Sequence, residues 1–267
     1  MASAAAPVSR FDLGRVVERT FASISRNFSV FLLLTLLLAG LPALFMGLLL
    51  YLAGLGGAGL TANGASAQLM AMSAAGGGVA ALVGAIASFI LQAAVVYGTI
   101  ADLNGRRAAF SECLSTGLRS WFWIFLLAIV VGIAEVFGFL LLIVPGVMMA
   151  VAWVVAVPAL VVERTGVFGA MSRSAELTRG HRWPIFGLLV IYIIAAGIVS
   201  TVVSAVVGAA ATSVTPGATP AALQLIAQPL VSVITELISS AGVASIYFEL
   251  RSTREGIGPE ALAAVFD

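Results

Sequence analysis

Apolar residues gather in six long blocks along this chain, at 28–52, 79–100, 121–144, 147–162, 184–210 and 222–248. A helix needs about 20 consecutive apolar residues to cross a hydrocarbon core about 30 Å thick. The pattern therefore predicts six transmembrane helices. The fourth block is the shortest and contains Pro158, which predicts a kink or a different tilt there.

Polar positions fall between the blocks, and unevenly. Segments 54–78 and 211–221 carry no charge, and blocks three and four meet at Pro145-Gly146, read as a tight turn. Arginines occupy the other connections: Arg10, Arg15, Arg19 and Arg26 before block one, Arg106, Arg107 and Arg119 after block two, Arg164, Arg173, Arg179 and Arg182 after block four, and Arg251 and Arg254 after block six. Arginine-bearing connections stay in the cytoplasm, so both termini are expected there. The rival topology, a re-entrant pair for blocks three and four, would put 163–183 outside, against the arginine count.

The cytoplasmic stretch before each odd-numbered block has helical periodicity. In the first, Leu13, Val16, Val17, Phe21 and Ile24 share a face, Arg15, Glu18, Arg19 and Arg26 occupy the other, and Asp12 is placed to cap the helix. The second is shorter, with Phe110, Cys113 and Leu114, a stop at Gly117, and the junction Arg119-Ser120-Trp121-Phe122-Trp123. The third sets Val167, Phe168, Met171 and Ala175 against Arg173, Glu176 and Arg179, ending at Gly180, with Pro184 suited to the first turn of the next span. The expected fold is all-α and polytopic: three transmembrane hairpins, each preceded by a cytoplasmic interfacial helix anchored by arginine and tryptophan. Residues 1–27 form a cytoplasmic segment with an amphipathic helix, 28–250 the six-helix transmembrane domain, and 251–267 a cytoplasmic tail. Either this threefold pattern is an internal repeat, or it is what any chain with three cytoplasmic stretches would show.

Composition agrees. Of 267 residues 61% are hydrophobic and 9% charged, far from a soluble domain. The net charge of +1 gives no argument for nucleic acid, and the single cysteine, Cys113, rules out an internal disulfide. All 13 basic residues are arginine, a bias without a mechanism attached.

Candidate chemistry is sparse. Glu135 and Glu236 sit inside blocks three and six, where an ionised carboxylate costs roughly 2.5 to 3.5 kcal/mol, so each should find a partner or stay protonated. Gln224, Gln228, Ser232, Glu236 and Ser240 repeat every fourth residue, a polar stripe down block six that Ser88, Gln92, Ser200, Thr201 and Ser204 are placed to meet. The stripe reads either as a small-solute pathway centred on Glu135, Gln228, Ser232 and Glu236, or as interhelical hydrogen bonding that fixes packing, worth about 0.6 kcal/mol per bond. Small residues at Ala80, Gly84 and Ser88 and at Gly197, Thr201 and Ala205 predict close helix contacts. The run Gly54-Leu55-Gly56-Gly57-Ala58-Gly59 spells a dinucleotide fingerprint but follows a span instead of a strand, so it reads as an external loop. His181 is the lone histidine, beside Trp183 and two arginines, and reads as a headgroup contact. Neither metal-ligand spacing nor a nucleophile with its base stands out, so no cofactor, metal or catalysis is expected.

One combination of residues is specific: Pro145-Gly146, Trp153, Pro158, Val162-Glu163, Gly166, Ala170, Arg173-Ser174, Leu177-Thr178, Gly180 and Arg182-Trp183, followed by Tyr247-Phe248-Glu249-Leu250-Arg251 and Glu255-Gly256. It resembles the membrane-domain family of glycerophosphoryl diester phosphodiesterase and its YciC-like relatives, six-span bacterial inner-membrane proteins. The resemblance is strongest over 145–256 and implies the membrane part without the phosphodiesterase, since eleven residues follow Gly256. It also implies a part in envelope or membrane homeostasis. Glu163 and Glu249 lie at the arginine-bearing ends of their spans. With Arg173, Arg182, Trp183 and Arg251 they form a candidate cytoplasmic cluster, expected to hold an interfacial helix against the bundle by ion pairs.

The leading expectation is thus a non-catalytic membrane protein whose cytoplasmic face meets anionic lipid, a protein partner or another copy of itself. The alternative is a transporter for a small or amphipathic solute, and a lipid enzyme is a weaker third.

Overall fold

A computed structural model describes residues 11–45, 65–214 and 220–255. Arg10, the glycine run at 54–59 and the tail beyond Glu255 lie outside the described residues. What is described is helical throughout, with six helices long and apolar enough to cross a membrane.

Helix α1 spans Leu13–Arg26 and begins where expected, with Asp12 Oδ1 accepting from the Gly14 N–H at 2.8 Å. Asn27 separates it from α2, Phe28–Thr35, which continues through a π-helical turn, Leu36–Gly40. Helix α3 runs Ala65–Leu103, α4 Phe110–Leu141, α5 Ile143–Trp153, α6 Ala156–Glu163, α7 Gly166–Thr178, α8 Arg182–Val214 and α9 Pro220–Glu255. Neighbouring spans pack in chain order, α9 closes against the first span, and α3 and α9 also meet each other.

Several boundaries move from their expected places. Residues 65–78, expected in an external loop, open α3, because Ala, Met, Gln and Leu there are good helix formers. The turn between the third and fourth spans is at Leu142, whose backbone is extended, while Pro145 sits in the first turn of α5, where its missing N–H costs no hydrogen bond. Gly146 is instead a contact residue: a Cβ there would lie 2.6 Å from the Phe139 ring. Gly117 stops nothing, since α4 is continuous from Phe110, so the second amphipathic stretch is fused to its span. A Cβ at Gly117 would lie 2.5 Å from the Ile90 carbonyl oxygen, which marks the close crossing of α3 and α4. Gly84 and Gly197 have no neighbour within 4 Å of an added Cβ, and Thr201 and Ala205 are exposed, so close packing does not use those small residues. Residues 251–255, expected in the tail, form the end of α9.

The fourth span breaks between α5 and α6 at Val154-Val155. Pro158 accounts for it, because its ring clashes with the carbonyl four residues back, that of Val154, and offers that carbonyl no N–H. The span still extends over Ile143–Glu163 as one apolar stretch of 21 residues.

Candidate functional site

The break in the fourth span leaves carbonyls at the end of α5 without helical donors. Helix α7 supplies them. Ser174 Oγ donates to the Ala152 carbonyl at 2.8 Å and Thr178 Oγ1 reaches the same oxygen at 3.3 Å, both fully buried. Val167, Ala170, Ser174, Leu177 and Thr178 form the buried face of α7, while Phe168, expected on it, is 75% exposed. The expected apolar face was thus wrong in part. The inward face is chosen by the hydroxyls that match the freed carbonyl and by small side chains that allow approach.

Charge completes the docking of α7. Arg173 Nε donates to both Glu163 carboxylate oxygens at 3.0 Å, and Glu163 Oε1 also accepts from the Tyr247 hydroxyl at 2.7 Å. The Arg173 guanidinium reaches Glu255 as well, and Arg251 holds Glu255 at 2.8 Å. The connections flanking α7 turn through Arg164 and through Gly166 and Gly180, all at positive φ.

Helix α1 docks by the same device with different acids. Glu249, whose side chain is 2% exposed, receives Arg15 at 2.9 Å and also Arg19, and Arg19 lies 5.3 Å above the Phe248 ring. At the other end of α1, Arg26 grips Asp102 with Nη2 at 2.6 Å and Nε at 3.2 Å from each oxygen. The Asp102 bond and charge hold Arg26 above its ordinary pKa even as partial burial opposes them. The arginine-bearing side of α1 therefore faces the bundle, and Val17 and Phe21 point away from it.

The candidate cluster is thus divided. Glu163, Arg173 and Arg251 meet around Glu255, and Glu249 belongs to α1. Arg182 and Trp183 join neither: the buried Arg182 Nε has no hydrogen-bond partner among the described residues, and Trp183 is 83% exposed against Phe186. Of the intramembrane candidates, Glu135 and Glu236 are half-buried and make no hydrogen bond or ion pair among the described residues. They stand on α4 and α9, which do not share an extensive face. Ser232 is exposed, and Gln228 lies outside the residues whose side chains are described. Tyr192 bonds the Thr235 carbonyl at 2.9 Å, linking α8 and α9 beside this stripe.

The expected cluster did not include Arg15, Arg19, Arg26, Asp102 or Glu255. Nor did it include a groove of about 410 Å³ between α4 and the α6–α7 connection. Thr116, Arg119, Ser120 and Trp123 line one wall, at the i, i+3, i+4, i+7 spacing of a single helix face; Leu160 and Val161 supply apolar lining, with Arg164 and Gly166 opposite. No acidic residue lines it, and neither arginine has an ion pair among the described residues. Arg164 has φ 53° and ψ 34°, a left-handed conformation that costs a side-chain-bearing residue about 1 to 2 kcal/mol. The sequence signal was available in the Arg119-to-Trp123 junction, but its partner lies across a turn whose backbone geometry no pattern reveals.

A family model, the membrane domain of glycerophosphoryl diester phosphodiesterase, matches residues 118–250. The chain belongs to that family through this stretch, about half its length. The matched segment of the membrane domain contains the Pro158 break, all of α7, Glu163 with its partners Arg173 and Tyr247, and the greater part of the groove. Helix α1 lies before it, so Glu249 is the membrane-domain residue through which the N-terminal helix docks. Comparison with curated proteins and with solved structures finds no match.

Proposed function

We propose that this membrane domain is a non-catalytic module of the bacterial inner membrane, serving envelope or membrane homeostasis through contact between its cytoplasmic arginine face and anionic lipid. The observation that carries this reading is what remains after the ion pairs are made. Arg107, Arg119, Arg164 and Arg179 are exposed and have no ion-pair partner among the described residues, while Trp123 is 51% and Trp183 83% exposed in the same regions of the chain. A basic residue beside an anionic leaflet contributes about 1 kcal/mol, and tryptophan settles at headgroup depth. The test is tryptophan quenching after reconstitution in brominated phosphatidylglycerol or brominated phosphatidylcholine. Stronger quenching by the anionic lipid, reduced by Arg107→Glu with Arg179→Glu, is expected; equal quenching by the two lipids would overturn the reading.

The transporter alternative draws support from Glu135 and Glu236, since an ionisable residue inside a span with no partner among the described residues is a candidate for a substrate or proton pathway. Solute flux in proteoliposomes that Glu236→Gln abolishes without lowering folded yield would favour it over the lipid-face reading.

A further inference from the structure

We infer that the groove between α4 and the α6–α7 connection is a binding site for the phosphodiester headgroup of an anionic phospholipid, with Arg119 and Arg164 as its two cationic arms. This rests on the lipid-face reading above and localises it. Arg119 and Arg164 line one cavity from opposite walls, and among the described residues no carboxylate pairs with either: Glu163, next to Arg164 in the chain, is occupied by Arg173 and the Tyr247 hydroxyl. Thr116 and Ser120 add hydroxyl donors on the α4 wall. Helix α7 begins at Gly166 with no side-chain cap on its first N–H groups and no acidic residue in its first turn, so its positive end borders the same space.

The occupant is a lipid and not a soluble phosphate because of what surrounds the cations. Trp123, Leu160 and Val161 line the groove on the membrane-going side, so the space beside the cations is bordered by apolar side chains at the start of the third span and the end of the fourth. The conformation of Arg164 supports a ligand role from a different direction. Glycine would hold the left-handed turn without strain, yet the position carries a long cation in the lining of the groove.

The test uses the full chain, delipidated in a neutral detergent, with retention of short-chain phosphatidylglycerol measured by native mass spectrometry. Arg119→Gln and Arg164→Gln should each weaken retention about fivefold, whereas Arg107→Gln and Arg179→Gln, outside the groove, should each weaken it less than twofold. Equal losses from both pairs would overturn the groove while leaving the general lipid-face reading; no loss from either pair would overturn both. Displacement of the lipid by millimolar inorganic phosphate or glycerol phosphate would assign the groove to a soluble ligand and overturn the lipid assignment. Arg164→Gly guards against misfolding, because it relaxes the turn. It should lose lipid retention as Arg164→Gln does while raising the melting temperature, and retention unchanged in that variant would overturn the role of Arg164.

Discussion

The docking surfaces of α1 and α7 and the groove beside α4 are built from the same cation and differ in the supply of acids. At the docking surfaces Glu249 takes Arg15 and Arg19, Asp102 takes Arg26, and Glu163 and Glu255 share Arg173. In the groove Arg119 and Arg164 meet none among the described residues. An arginine whose carboxylate is built into the fold is spent on architecture, because its fork of donors is saturated and partly dehydrated. One left without a carboxylate is available to an anion from outside. Counting arginines on one side of the membrane therefore overstates the surface that can bind lipid.

The comparison breaks most visibly at Glu249. Glu249→Ala leaves Arg15 and Arg19 adjacent, with the buried acid gone. Unfolding in mixed micelles should show a loss of about 3 kcal/mol, the low end for breaking a buried ion pair because both guanidiniums keep some solvent. The groove variant Arg119→Gln should change stability by less than about 0.5 kcal/mol, as exposed substitutions do. Comparable losses from the two would erase the distinction between spent and available arginines.

A smaller effect separates charge from hydrogen bonding within the α7 docking. Ser174→Ala with Thr178→Val keeps the volume nearly constant and leaves the Ala152 carbonyl buried without its hydroxyl donors, a loss of about 1 to 3 kcal/mol. Pro158→Ala in the same background should recover little of the loss, because the N–H it restores belongs to the Val154 carbonyl, four residues back, and not to Ala152. Stability unchanged in the double variant would leave Arg173 and apolar packing as the whole of the docking.

Some of this was legible in the sequence and some was not. Spans announce themselves because a run of apolar residues needs no partner to be read, and the Pro158 break and the Asp12 cap follow from local chemistry. The amphipathic stretch of α1 was also legible, but not what its polar face meets: Arg26 and Asp102 are 76 residues apart, and Arg19 and Glu249 are 230. Helix α7 misled in another way. Counting apolar residues favoured Phe168, whereas burial followed Ala170, Ser174 and Thr178, whose value lies in a carbonyl exposed by a break in a different helix. Gly117 looked like punctuation because its neighbour Ile90 belongs to another span. Half of the candidate cluster was found because its acids stand at span ends, and the groove was missed because it is defined by the absence of acids.

Arg164→Gly reverses the sign of the expected change. Replacing a left-handed arginine by glycine removes about 1 kcal/mol of strain, offset in part by the freedom glycine adds to the unfolded chain. A small rise in melting temperature in lipid-free detergent should therefore accompany weaker lipid retention. A fall would mean that Arg164 is held by contacts within the fold and belongs with the spent arginines.

The smallest effect comes from His181, at the joint between α7 and α8. Its ring packs 5.5 Å from Phe11, just ahead of α1, and its buried Nδ1 has no hydrogen-bond partner among the described residues. Burial, and after it the nearby charge of Arg254, holds the imidazole below its ordinary pKa of 6.5. The folded state therefore favours the neutral ring, and the unfolded chain binds the proton first. The sign follows: the contribution of His181 is intact above about pH 6.5 and is lost as pH falls through the lowered folded value. Carboxylates titrate over part of the same range, so the measurement is a difference: melting temperature against pH for the wild type minus that of His181→Phe, which keeps a ring against Phe11. The difference should turn against the wild type below about pH 6.5, and Arg254→Gln, which brings the folded value closer to the unfolded one, should make that acid-side loss smaller. A difference that stays flat from pH 7.5 to pH 5 would mean that protonating His181 leaves the joint between α7 and α8 unchanged.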